Sequence, residues 1–249
     1  MISLTQNQEL ILSVLEDFSS DGFIKGSIRM YLASYGVEYD FSQYYVQYSD
    51  DSNLPVSLIL RYNQSIYTLV GENADISELS SFLRGFSDYE LFSYCHIFSA
   101  DATLSRILVC YEMAKAGDGS FASVPVQRVS DVSLIAELVT SDLSSEKRVD
   151  FFLNTSHMLR HNTLNAFGYS VDGDMAAVAA VSAEFEVVSV IPFVHTKEYF
   201  RGNGYGKQLL LSMCNNPDIR YCLICEEHNI PFYEKSGFIK QKEIFKYSL

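Results

Sequence analysis

The residues best suited to chemistry in this chain are Arg201-Gly202-Asn203-Gly204-Tyr205-Gly206. They follow the strand-like run Val187-Val188-Ser189-Val190-Ile191-Pro192-Phe193-Val194 and precede the helix-like run Lys207-Gln208-Leu209-Leu210-Leu211-Ser212-Met213. Glycine lets a backbone come close to an anion with several N–H groups aimed at it, and a helix start behind the turn adds roughly half a positive charge. Arg201 and Lys207 can each add a charge-assisted bond to a phosphate oxygen. The chemistry on offer is therefore anion binding, and spacing decides which anion. A P-loop needs glycine five positions before the Gly-Lys pair and Ser or Thr after it, but Arg201 stands five before Gly206-Lys207 and Gln208 follows. A dinucleotide fingerprint needs a third glycine where Lys207 stands.

What remains is Arg-x-x-Gly-x-Gly, preceded by Val194-His195-Thr196 and followed by Tyr233-Glu234-Lys235-Ser236-Gly237-Phe238. This ordered pair resembles the GNAT acetyltransferase family, whose acetyl-CoA site combines an Arg/Gln-x-x-Gly-x-Gly/Ala turn with a later Tyr-x-x-x-Gly-Phe segment. The resemblance implies that the backbone N–H groups from Gly202 to Gly206, including Asn203, Gly204 and Tyr205, hold the pyrophosphate of acetyl-CoA. It implies that Val194 and Thr196, on a strand splayed by a bulge, pair with the pantetheine arm, and that the Val194 N–H polarises the acetyl carbonyl. Pro192 suits such a bulge, because proline cannot donate to a sheet ladder.

The resemblance makes Tyr233 the group that protonates the leaving thiolate. The competing reading of Tyr233, in a chain with 17 tyrosines, is a core ring beside Phe232 and Phe238. Asn229 is the nearest match to the family's pantetheine-contacting asparagine, but it stands four residues before Tyr233 instead of seven. Glu184 and Glu186 are the acids nearest to the family's catalytic glutamate. The strict register, eleven residues before Arg201, falls on Val190. His195 alternates with Val194 and Thr196 and so should face the other side of the sheet.

Other constellations carry less. His157 and His161 stand one helical turn apart, but Met158 occupies the place of a metalloprotease glutamate and no third ligand follows, so no metal is expected. Cys222 and Cys225 lie in a strand-like run and face opposite sides, which suits core thiols. The five cysteines form an odd set without paired spacing, as expected in a reducing compartment.

The elements that position these residues read as α/β throughout. Before residue 120, helices at Gln8–Phe18 and Gly26–Ser34 precede strands at Tyr44–Tyr48, Pro55–Arg61 and Ser65–Val70. A helix opened by Asp75 and a strand at Glu90–Phe98 follow, then a helix-to-strand stretch at Ala102–Ala114. Small, turn-rich residues 116–125 read as a linker. Beyond it, a short strand at Val126–Val129 leads to helices at Asp131–Thr140 and Ser145–His161. Strands at Ala166–Val171, Met175–Ala183 and Val187–Thr196 come next, then helix Gly204–Cys214, strand Tyr221–Cys225, helix Ile230–Ser236 and strand Phe238–Phe245.

The order of elements is the same on both sides, which predicts tandem GNAT-like mixed sheets flanked by helices, with the C-terminal copy, residues 126–249, intact. Residues 1–115 are then a degenerate copy or an unrelated α/β cap. Where the second half has its glycine turn, the first has Tyr67-Thr68-Leu69-Val70-Gly71-Glu72-Asn73-Ala74-Asp75, with one glycine and two acids, so it should not bind CoA.

The net charge of −13 falls mostly on residues 1–122, where 16 acids face 6 bases. A basic stripe is missing, which argues against nucleic acid as a partner. No run approaches the roughly 18 to 20 apolar residues of a membrane span. The opening residues lack the basic and apolar regions of a signal peptide, and a cytoplasmic location without membrane attachment is expected. An acidic first half would favour a cationic acceptor. The expected activity is transfer of acetyl from acetyl-CoA to an amine of a small molecule or peptide, in a chain compatible with a homodimer. A CoA-binding regulatory module and a longer acyl donor are the alternatives.

Overall fold

A computed structural model describes residues 1–18, 22–98, 104–113, 126–141, 143–184 and 187–249. The expected linker, 116–125, lies outside the described residues, as does Glu186. By contacts the chain divides into two units. Unit 1 comprises Met1–Cys110, Ile224–His228 and Lys240–Leu249, and unit 2 comprises Tyr111–Leu223 and Asn229–Ile239. The division is thus not one between two consecutive halves of the sequence.

In unit 1, β1 (Ile2–Thr5), α1 (Gln8–Asp17) and α2 (Phe23–Tyr35) precede the antiparallel strands β2 (Ser42–Tyr48), β3 (Pro55–Tyr62) and β4 (Ser65–Val70). Helix α3 (Ile76–Leu83) then leads to β5 (Glu90–Ser93), which pairs with β4 in parallel from Ser65↔Glu90 to Thr68↔Ser93. The strand expected over Glu90–Phe98 is shorter because Ser93 Oγ accepts the Cys95 N–H at 3.2 Å and turns the chain. The stretch Ala102–Ala114 is described only as a strand, β6 (Leu104–Met113). Ile59, Ile66, Leu79, Leu83, Leu91, Ile97, Phe98 and Tyr247 form the core between α3 and the sheet. Tyr247 belongs to the last strand, which pairs antiparallel with β5 from Phe245↔Ser93 to Ser248↔Glu90.

Unit 2 has the same order through its third helix and the strand after it, with one strand split in two. A two-residue strand, β7 (Gln127–Arg128), leads to α4 (Val132–Val139) and α5 (Ser145–Arg160), capped by Asp131 and Ser144. Strands β8 (Leu164–Val171) and β9 (Asp174–Ser182) form an antiparallel pair from Leu164↔Ser182 to Val171↔Asp174. The segment expected as one strand over Val187–Thr196 is two, β10 (Val188–Val190) and β11 (Phe193–Thr196), with Ile191-Pro192 between them. Helix α6 (Tyr205–Met213), β12 (Arg220–Cys225), α7 (Ile230–Lys235) and β13 (Phe238–Ser248) complete the chain, the end of β12 and most of β13 being counted in unit 1. Alanines 176, 177, 179 and 180 of β9 are almost wholly buried and let α6 lie close on the sheet, where Leu209 and Leu210 are also fully buried. No helix among the described residues is long and apolar enough to cross a membrane.

Candidate functional site

The break between β10 and β11 is the origin of the site. β10 pairs in parallel with β12, Val188↔Arg220 to Val190↔Cys222, and the Ile191 N–H still reaches the Cys222 carbonyl at 2.8 Å. After Pro192 the chain changes partner. β11 pairs antiparallel with β9, Phe193↔Ala180 to Thr196↔Ala177, and forms the edge of the sheet β11-β9-β8-β7. Two buried serines fasten the break. Ser182 Oγ accepts the Val190 N–H at 2.9 Å, a donor that the interrupted ladder would leave unmet, and Ser189 Oγ donates to the Ser182 carbonyl at 3.2 Å.

Alternation along β11 then fixes which backbone groups are presented. The Lys197 N–H donates to the Ala176 carbonyl at 3.0 Å, so His195 and Phe193 also turn their backbone groups to β9. The N–H and C=O groups of Val194 and Thr196 point to the opposite, edge side of the strand. Arg201 Nε donates to the Thr196 carbonyl at 3.1 Å, tying the turn back onto β11. On the faces of the strand, Thr196 Oγ1 lies against Gly206 of α6, whereas Phe193 meets Phe151 of α5 at a ring-centroid distance of 5.4 Å. His195, by alternation, shares the Phe193 face.

From Thr196 the chain passes through a short 3-10 turn, Glu198–Phe200, into the glycine turn. Gly202 and Gly204 both have left-handed backbone, with φ of +81° and +82°, and nothing lies within 4 Å of where a Cβ would stand. Gly204 is the N-cap of α6 and supplies no side-chain bond to the helix start, while its carbonyl accepts the Gln208 N–H at 3.0 Å. Asn203 Nδ2 spans the turn, donating to the carbonyls of Phe200 at 3.2 Å and Arg201 at 3.3 Å. Arg201, Gly202, Asn203 and Gly204 are exposed, and Tyr205 and Lys207 half-buried. Gly206 is required for another reason: a Cβ there would stand 2.7 Å from Thr196 Oγ1 and 3.4 Å from Phe232 Cζ.

Tyr233 is half-buried on α7, its ring centroid 5.0 Å from Phe232, 5.8 Å from Phe238 and 6.4 Å from Tyr111. The hydroxyl of buried Tyr111 donates to Glu234 Oε1 at 3.1 Å. Tyr233 thus packs among rings, as a core residue would, at the position where a thiolate-protonating phenol is expected. Tyr111 was not singled out by sequence; no motif links it to Tyr233, and only folding brings the two together. Asn229 stands immediately before α7 as its N-cap and makes no capping bond, with Pro231 in the first turn.

Glu184 is exposed, and the Asn216 side chain donates to its Oε1 at 3.4 Å. Asn216 follows the C-terminal end of α6, while the glycine turn lies at its N-terminal end, a nine-residue helix or about 13 Å away. Glu184 is therefore not gathered with the turn. His157 and His161 stack at 4.2 Å between centroids, and no cluster of three potential metal ligands occurs among the described residues. Cys110, Cys214, Cys222 and Cys225 are buried, and burial pushes the Cys214 thiol well above its ordinary range.

Neither a protein-family model nor a curated protein sequence matches the chain. Solved structures do. A GNAT-family acetyltransferase from Colwellia psychrerythraea aligns with a TM-score of 0.61 at 10% identity, covering 99% of both chains. A tandem GNAT protein from the clavulanic acid biosynthesis pathway aligns at 0.60 and 14%, covering 99% of this chain and 97% of that one. N-myristoyltransferase from Saccharomyces cerevisiae, solved with myristoyl-CoA, aligns at 0.58 and 9%, covering 99% of this chain and 78% of that one. At such identities the likeness speaks for architecture: the chain has the mixed α/β fold of the GNAT acetyltransferases, along almost its whole length.

Proposed function

We propose that this protein is an N-acetyltransferase that moves an acetyl group from acetyl-CoA directly to an amine of a small cationic molecule or peptide, using unit 2 to hold the donor. One observation carries the reading. A strand breaks at Ile191-Pro192, presents the backbone of Val194 and Thr196 along an open edge, and runs directly into a glycine turn whose helix start has no side-chain cap. A pantetheine arm bears amides that can pair with such an edge as a neighbouring strand would. The pyrophosphate then falls to the N–H groups from Gly202 to Gly206, with Lys207 on the first helical turn adding charge.

In this reading the amine lone pair attacks the thioester carbonyl carbon, the carbon–sulfur bond breaks, the departing sulfur takes a proton from Tyr233, and the proton shed by the acylated nitrogen returns to the Tyr233 phenolate through water. The Val194 N–H stabilises the oxygen on which charge develops. A primary amine with a pKa near 10.4 must shed a proton before it attacks. With Glu184 engaged at the far end of α6, that proton is assigned to water. Direct transfer is favoured over an acyl-cysteine route because a buried thiol with a raised pKa supplies little thiolate.

The placement of Glu184 also gives weight to a second reading, a CoA-binding module without turnover. Free-thiol release from acetyl-CoA across a panel of polyamines, aminoglycosides, amino acids and peptides separates the two, with longer acyl-CoA donors run in parallel. Turnover with at least one amine, lowered about 100-fold by Tyr233→Phe at unchanged CoA affinity, is the expected outcome. Binding of CoA without turnover on any acceptor would favour the module. Loss of affinity in step with turnover would return Tyr233 to a packing role.

A further inference from the structure

Four aromatic rings run in a row through the glycine turn. Tyr169 on β8 stacks on Tyr205 with centroids 5.1 Å apart and planes at 23°. Tyr205 meets Phe200 at 6.1 Å and 69°, and Phe200 meets Tyr199 edge to face at 5.4 Å and 83°. Tyr205 is the first residue of α6 and lies within the turn itself, whereas Tyr199 and Phe200 form the 3-10 turn just ahead of Arg201. Tyr169, Tyr205 and Phe200 are half-buried, whereas Tyr199 at the end of the row is 90% exposed, against at most 66% for the other exposed large hydrophobic side chains among the described residues.

A single surface tyrosine is ordinary. This one meets edge-on a ring that is itself packed against the helix start, and its outer face stays open. Aromatic pairs of this geometry favour ring centroids within about 4.5–7 Å, which all three contacts satisfy. An open aromatic face two residues from Arg201, the proposed phosphate contact, is suited to a flat heteroaromatic ring joined to that phosphate by a short link. In a nucleotide, the base is one ribose away from the phosphate.

Resting on the reading of unit 2 as a CoA site, we propose that Tyr199 is the stacking platform for the adenine of CoA. Lys197 and Arg201 flank it and suit the phosphorylated ribose beside the base, with Glu198 the one acid in the turn. The consequence concerns the donor. A phosphopantetheine arm, free or attached to a carrier protein, has no adenine, so the platform makes the site selective for free CoA thioesters over carrier-bound acyl groups.

The test compares CoA with 4′-phosphopantetheine by titration calorimetry. Tyr199→Ala should weaken CoA binding about 5- to 10-fold, the low end of the worth of a base stacked on an aromatic side chain, and leave phosphopantetheine binding unchanged. Tyr199→Trp gives an independent signal, because the chain contains no other tryptophan. Its fluorescence should be quenched by CoA and not by phosphopantetheine. If wild type binds CoA and Tyr199→Ala binds it equally tightly, or if both ligands weaken alike, the platform falls while the CoA reading stands. If wild type binds neither ligand, the CoA reading falls and takes the platform with it.

Discussion

The turn before α3 in unit 1 and the turn before α6 in unit 2 occupy the same place in the order of elements, but they complete their helices differently. Before α3, Asp75 takes the N-cap, and its Oδ1 accepts the N–H groups of Ser77 at 2.8 Å and Glu78 at 3.0 Å. Gly71 hugs β3, its N–H 2.8 Å from the Val56 carbonyl, and β4 stays paired with β3 over its whole length. Before α6, Gly204 offers no side chain, and the preceding strand has broken away from β12. A helix start is an anion site in either case. In unit 1 the chain's own carboxylate fills it; in unit 2 no side chain caps it. The difference explains, from one aspartate and one glycine, why CoA is assigned to unit 2 alone.

The largest effect expected from erasing this contrast comes from Gly204→Asp. A carboxylate at the α6 N-cap would meet the pyrophosphate with like charge and compete for the same N–H groups, and the left-handed backbone adds strain. CoA binding by calorimetry should fall below detection with the fold retained by circular dichroism; retained affinity would remove the cradle assignment.

Gly206→Ala tests the packing beneath the cradle. Its Cβ would stand 2.7 Å from Thr196 Oγ1, so either the Thr196 side chain turns or α6 moves from β11. A destabilisation of about 1–3 kcal/mol in a denaturant melt is expected, with weaker CoA binding, and an unchanged midpoint would show that the contact is slack. The smallest effect should come from the other turn. Asp75→Ala removes a side-chain cap and should cost about 1 kcal/mol, with CoA affinity untouched. Any loss of CoA affinity in that variant would break the separation of roles between the two turns.

Much of the site was legible because its signals are local. Glycines at positive φ, a proline at the strand break and Asp75 ahead of an apolar period are each written in a few consecutive residues. The open edge at Val194 and Thr196 was expected from the family resemblance, and backbone alternation supports the orientation it requires. What sequence missed is non-local. Ser182 and Ser189 bond to one another's segments at the strand break, Tyr111 reaches Tyr233 across more than a hundred residues, and Asn216 meets Glu184 at the far end of α6. Each depends on a side chain whose partner is chosen by folding.

By itself, the sequence determined the order of helices and strands, the glycine turn and the contrast between Gly204 and Asp75, because hydrophobic period, capping and backbone freedom act over a few residues. Tertiary structure alone decided which strands meet. A strand's period-two pattern states that one face is buried and leaves its neighbour unnamed, so the pairing of Phe245 with Ser93, and the change of partner that opens β11, follow from long-range ladders.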